Sequence, residues 1–255
     1  SDYEAVDRVK MSYIRAIYKE KGEKILNSHE FSTFFKSNRH WLEPYAVFCF
    51  LRDKYHTAHF SDWQQLSVYS QPEIEIMCKP EAESYPELQF TYFVQYILHL
   101  QLLEVTTYAR SKGMIIKGDL PIGISRDSVE AWMEPQYFNL DSQTGAPPDA
   151  FSYNGQNWNF PTYNWEAMYK DGCRWWRQRF ANMEQYFDAF RIDHVLGFFR
   201  IWEIPCSAVH GLLGHFSPSL PFTISEIEYY GLTFHKNVYT RPFINDSVLV
   251  KYFGI

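Results

Sequence analysis

The sequence predicts an α/β fold, and two observations carry that expectation. Long stretches of the first 112 residues show helical spacing of apolar side chains. Two later passages, KGMIIKGD and YFDAFRID, run from a helical pattern through a short apolar run to an acid, the order expected of strand and helix alternation.

Taken in order, Val6, Val9, Tyr13, Ile17 and Tyr18 recur at helical intervals. Phe31, Phe34 and Phe35 do so after Ser28, a natural N-cap. Trp41 to Tyr55 reads as a further helix with an apolar face. Between Tyr69 and Pro86 the prolines at 72, 80 and 86 and a cluster of glutamates predict a surface connection with a short helix. A helix follows from Phe90 to Lys112, with Val94, Leu98, Leu102, Val105 and Ala109 as its apolar face and Gly113 as its stop. Ile115 and Ile116 begin a strand predicted to be buried, with Asp119 at its polar tip. Residues 125–165 are rich in Pro, Asn, Gly and aromatics without either period, which predicts a structured functional loop. Helix resumes over 165–187, a strand runs toward Arg191 and Asp193, and short aromatic pieces follow Gly211.

With 255 residues the chain can bury a substantial core without disulfides. Its 24 basic and 30 acidic side chains, a net charge of -6, argue against a dominant nucleic-acid surface. Aromatic residues make up 19% of the chain, enough that some rings are expected to face a cleft suited to flat apolar ligands or sugars. Cys49, Cys78, Cys173 and Cys206 form no CxxC pair, and Cys49 and Cys206 sit in the apolar strings YAVFCFL and WEIPCSAV. They read as buried thiols of a reducing compartment. No apolar run reaches the about 20 residues that span a bilayer. The expected setting is the cytoplasm, with no membrane partner.

Asp119 and Asp193 both end helix-to-strand passages, and a parallel sheet or α/β barrel gathers such strand ends around its active site. Arg191 precedes Asp193 by two, so on a strand its guanidinium shares a face with that carboxylate and can hold it ionised. An internal salt bridge without chemistry fits the same spacing. His194 points to the other face if the strand is regular. His56 and His59 are spaced for one helical turn but lack further ligands, so no metal is expected. His210 and His215, in HGLLGH, read as loop residues. GDLPIG and GLLG match no phosphate cradle, no GxSxG elbow occurs, and no cofactor is expected. What survives is carboxylates and an arginine among aromatic rings, a combination suited to glycosyl chemistry.

Four segments bear a closer likeness. RHWLEPYAVFCFLRD (39–53), YARSKGMIIKGDLPIGISRDSVEAW (108–132), GAPPDAFSYNGQNWNFPTYNW (145–165) and FDAFRIDHVLGFFRIWEIP (187–205) resemble the 4-alpha-glucanotransferases, also called amylomaltases or disproportionating enzymes. The last segment is similar to the plant cytosolic type. The resemblance implies part of a (β/α)8 TIM barrel of the alpha-amylase superfamily with insertions. Residues 1–255 would be a partial catalytic domain, with a helical insertion over 1–88 and a substrate-embracing loop over 125–165. It implies retaining transfer between alpha-1,4-glucans and maltooligosaccharides, with Asp193 as nucleophile and Arg191 supporting it. Asp119, Asp149, Phe151, Gln156, Trp158 and His194 would contact sugar. The family's acid/base glutamate lies in a motif like AEDLG, and a further aspartate in one like HD. Neither motif occurs in these residues, so the chain is expected to be incomplete as a catalyst. An alpha-glucan hydrolase and a non-catalytic glucan-binding fragment are the alternatives. Oligomeric state is not fixed by the sequence.

Overall fold

Helix α1 (Tyr3–Leu26) starts at Asp2, whose carboxylate accepts from Ala5 N at 3.0 Å. The computed structural model describes residues 2–239 and 245–254. Helix α2 (His29–Tyr55) is capped by Ser28, which accepts from Phe31 N as the sequence predicts. The two helices expected here are one, running through Pro44. Proline in a helix interior removes one backbone bond, and burial of Leu42, Ala46, Val47, Phe48 and Leu51 on either side of it offsets that loss. Helix α3 (Gln71–Met77) fills the short connection. Helix α4 (Tyr85–Ser111) ends at Gly113, whose φ of 71° permits two reversed bonds, Gly113 N to Arg110 O and Met114 N to Ala109 O.

The buried face of α4 differs from the predicted one. Leu98, Leu102 and Val105 are exposed, whereas Leu88, Tyr92 and Tyr96 lie in the core with Leu42, Val47, Leu51, Ile74 and Trp132. Periodicity marks an apolar stripe, but burial needs a neighbour. Here α2 meets Tyr92 and Tyr96 through Phe31, Phe34 and Phe35. Tyr18 of α1 packs on Phe90 and Phe93.

Strand β1 (Lys117–Leu120) follows, starting beyond Ile115, which is exposed. Next come helix α5 (Val129–Met133) and the short strands β2 (Phe138–Asn139), β3 (Ser142–Ala146), β4 (Gln156–Asn157) and β5 (Thr162–Tyr163). The helix expected over 165–187 is split into α6 (Trp165–Lys170) and α7 (Arg174–Glu184), because Gly172 and Cys173 take left-handed φ values. Strands β6 (Ala189–Ile192), β7 (Ile201–Pro205) and β8 (His215–Ser217) complete the set. A second core of Leu120, Tyr137, Phe138, Tyr163, Met168, Trp175 and Trp176 lies under this half. Cys49 is buried, but Cys206 is exposed.

The expectation of a (β/α)8 barrel is overturned. Such a barrel needs eight parallel strands closed by a constant stagger. Among the described residues the sole parallel pairing is β1 with β6, in the register Asp119 opposite Arg191. β2 and β5 form an antiparallel pair, and β4, β3, β7 and β8 form an open antiparallel sheet in that order. The fold is mostly helical with small open sheets. Two genuine helix-to-strand passages suggested a repeat that the other described strands do not continue.

The chain divides into two compact units, Ser1–Ser217 and Pro218–Ile255. The second holds α8 (Ile224–Tyr229), α9 (Lys236–Tyr239) and α10 (Asp246–Phe253). Thr223 and Glu226 form a reciprocal capping box on α8. Among the described residues no helix is long and apolar enough to cross a membrane.

Candidate active site

The parallel pair is fixed at its base by Asp188. Its carboxylate accepts from Ile116 N at 3.0 Å and from Arg110 Nε at 2.7 Å, which holds its carboxyl below the usual carboxylate range. Its own N–H donates to Ile116 O, so β6 enters in register with β1. Three residues further on, Asp119 and Arg191 lie opposite each other, and Arg191 Nη2 donates to Asp119 Oδ2 at 2.6 Å. The strand ends at Ile192, and Asp193 extends the pairing through its N–H to Leu120 O at 3.3 Å. Among the described residues Arg191 therefore bonds Asp119 and not Asp193, although the two share a stretch of chain.

Asp193 and His194 open onto a cleft of about 390 Å³ whose other walls are Ile122, Trp158 and Phe160. His194 takes a left-handed conformation, φ 48°, which ends the strand and turns the ring toward Trp158. The two rings meet edge to face at 5.1 Å. Trp158 is anchored twice: its N–H donates to Thr144 O on β3, and its Nε1 donates to Gln156 Oε1 at 3.0 Å. Phe160 stacks on it at 6.0 Å and 28°. Asn159 between them has φ 60° and is held by Asn157 Oδ1, which accepts from its N–H.

Asp149 does other work. Its Oδ1 accepts from Phe151 N at 2.8 Å and Ser152 N at 2.7 Å, shaping a tight turn. Phe151 stands 97% exposed at that turn, available to a ligand and supported by no packing. The structure thus brings Asp193, His194 and Trp158 into one cleft, with Gln156 bonded to its wall and Asp119 and Arg191 on the strand pair beside it. Asp149 and Phe151 are outside the cleft lining. Ile122 and Phe160 were missed by the sequence reading. Their signal is adjacency to motif residues, two positions after Leu120 and Trp158, with nothing in residue type to mark them.

A larger groove of about 1090 Å³ lies between α2, α5 and α7. Its lining includes none of the candidate residues, so size alone does not locate the chemistry. His56 caps the end of α2 with φ 54°, and His59 lies beyond the helix with Nδ1 2.8 Å from Asp127 Oδ1. The two do not share a helical turn. Glu203 accepts from Thr162 Oγ1 at 2.7 Å within the antiparallel sheet and is not part of the cleft lining.

The profile of the 4-alpha-glucanotransferase family matches residues 1–236. The chain belongs to that family. It is 46% identical over 253 residues to the 4-alpha-glucanotransferase DPE2 of Oryza sativa subsp. japonica, covering 99% of this chain and 27% of the relative. It is 33% identical over 202 residues to the 4-alpha-glucanotransferase of Chlamydia muridarum, covering 79% of this chain and 38% of the relative. The chain therefore spans well under half the length of these curated relatives. Among solved structures, the amylomaltase of Streptococcus agalactiae in complex with acarbose superposes with a TM-score of 0.71 at 24% identity, over 94% of this chain and 51% of that one. At that identity the likeness speaks to the fold alone.

Proposed function

We propose that this glucanotransferase-family chain supplies the nucleophile and the glucan-gripping wall of a site that transfers alpha-1,4-glucan segments by retaining double displacement. The observation that carries it is the cleft in which Asp193 is the one carboxylate among Trp158, Phe160 and His194. Aromatic faces bind the apolar faces of pyranose rings, and an ionised carboxylate beside them can attack an anomeric carbon. Attack by Asp193 Oδ forms the glycosyl ester as the bond to the departing glucan oxygen breaks and the acid/base group gives that oxygen its proton. A second glucan hydroxyl then displaces Asp193, returning a proton to the acid/base group.

That group must be a second carboxyl about 5–5.5 Å from the first. Among the described residues the cleft lining holds none, so this reading assigns it to sequence outside these 255 residues. Arg191 supports the site by orienting Asp119, which would accept a sugar hydroxyl, while Phe151, Asp149 and Gln156 would contact or shape the path of the chain. Donor and acceptor are then alpha-1,4-glucans and maltooligosaccharides. A cytoplasmic setting is read from the cysteines, all of which are free.

Chromatography of products from maltotriose tests the reading in a protein that carries the whole catalytic region. Elongated oligosaccharides with glucose are expected, and Asp193→Asn should abolish them while oligosaccharide binding persists. Glucose and shortened chains alone would indicate a hydrolase. Binding without product in the unaltered protein, or turnover retained in the variant, would defeat the assignment of Asp193.

A further inference from the structure

The segment between β7 and β8, residues 206–214, enters none of the chemistry above, yet it is tied to residues 154–157, which lead through β4 into Trp158. Leu212 N donates to Asn154 O at 2.8 Å. Asn157 Nδ2 donates to Ala208 O and Val209 O at 3.3 Å each. Trp202 Nε1 donates to Gly211 O at 2.8 Å, fixing the segment from its other side.

At the centre of these bonds two glycines meet. A Cβ on Gly211 would fall 2.7 Å from Gln156 N, 2.8 Å from Gln156 O and 2.8 Å from Ala146 O. All three are backbone atoms held in the pairing of β3 with β4, so they cannot swing aside as a flexible side chain would. Gly155, with φ 66°, would in turn direct a Cβ to 3.0 Å from Gly211 Cα. Backbone rests on backbone here because both positions lack side chains. The contact is transmitted: Gln156 Oε1 accepts from Trp158 Nε1, and the Trp158 ring is the cleft wall that meets His194.

We propose that Gly211 is a positioning residue for the glucan cleft, setting how closely residues 154–158 lie on their support and thereby where Trp158 stands beside Asp193. The loop 206–214 is a clasp behind the cleft wall. It acts through Gln156 and touches no substrate itself. This role rests on the glucan reading of the same cleft.

The test uses the protein that carries the whole catalytic region, held inactive by Asp193→Asn, and compares it with and without Gly211→Ala by two measurements. Hydrogen exchange reads the clasp without any ligand. The amides of 154–158, Trp158 N above all, should exchange at least about tenfold faster in the variant, while those of α2 and α4 keep their protection. Tryptophan fluorescence titration with maltoheptaose reads the cleft, and affinity should fall about tenfold. Leu213→Ala, whose side chain is exposed at the same loop, should change neither.

If Gly211→Ala does not fold, Asn157→Asp serves. It keeps the oxygen that holds Asn159 N but places an acceptor against the Ala208 and Val209 carbonyls, and should move both readouts in the same direction. Unchanged exchange at 154–158 would overturn the clasp. Faster exchange with unchanged affinity would overturn the positioning role. Failure of that protein to bind maltoheptaose when Gly211 is in place would defeat the glucan reading and the positioning role with it, while the exchange data would still report on the clasp by itself.

Discussion

Trp132→Phe is the most informative single perturbation of the fold. Trp132 is 2% exposed, and its ring meets those of Phe48, Trp63 and Tyr69 at 5.8, 5.7 and 5.0 Å. Its Nε1 donates to Leu66 O at 2.8 Å. Leu66 is buried and left-handed at φ 60°, so its carbonyl is aimed by the turn and has little freedom to seek water. Phenylalanine keeps a ring in the core but leaves that carbonyl unpaired, at a cost of about 1–3 kcal/mol. The lost volume, about 40 Å³ at about 24 cal/mol per Å³, adds about 1 kcal/mol. The sum is about 2–4 kcal/mol. Phe48→Leu is the control, since it removes volume from the same cluster without orphaning a polar atom and should cost about 1–1.5 kcal/mol. Urea unfolding followed by circular dichroism gives both, read from midpoint shifts at constant slope. A Trp132→Phe cost no larger than that of Phe48→Leu would refute the assignment of most of the loss to the hydrogen bond. The site has functional weight, because α5 starts the segment that leads into β2–β5, and Trp132 is its anchor on the helical core.

Other outcomes follow from the same geometry. Arg191→Met should change stability by less than about 1 kcal/mol, since both members of its pair with Asp119 are more than half exposed and screened by water. Maltoheptaose affinity should nonetheless fall; a loss of affinity absent from the titration would remove Arg191 from the site. His99 is held below the usual histidine range by burial, with Nδ1 2.7 Å from Tyr186 OH. A folded-state value below the unfolded one means that its contribution is present above pH about 6.5 and is lost as pH falls through the folded value. The urea midpoint of the unaltered chain should therefore drop between neutral and mildly acidic pH by more than that of His99→Phe, and equal drops would exclude His99 as the source.

Local chemistry was the legible part of this molecule. Ser28 before a helical run and Gly113 after one are read directly, because a cap and a left-handed stop act within four residues. The acids Asp119 and Asp193 were found because strand ends are marked by where an apolar run stops. What escaped was decided at long range. The Arg191 guanidinium chooses Asp119, a residue 72 positions away, over Asp193, and no local pattern encodes that pairing. The stripe of Leu98, Leu102 and Val105 has the period of a buried face, but no described element covers it. The barrel was inferred from likeness to a family and from two correct passages, yet topology depends on how many strands pair and in which direction. Phe160 and Ile122 earn their place in the cleft from tertiary placement alone.

The pairing of β1 with β6 also governs the order in which the molecule can assemble. Asp119 and Arg191 meet only when a stretch of chain with its ends 72 positions apart closes on itself, and an unstructured loop of that length costs about 4 kcal/mol of entropy to close. The pair itself is short and half exposed and returns little of that cost early on. Helices α1 to α4 form their own backbone bonds within four residues and need no such closure to appear, although α1 meets α4 across an equal span, as Tyr18 on Phe90 shows, and the β3–β4 pairing needs a much shorter closure. The strand ends that hold the two acids are then among the last parts to form. During refolding, binding competence should lag behind the recovery of helix, so that a chain can regain most of its secondary structure before it has a cleft to offer.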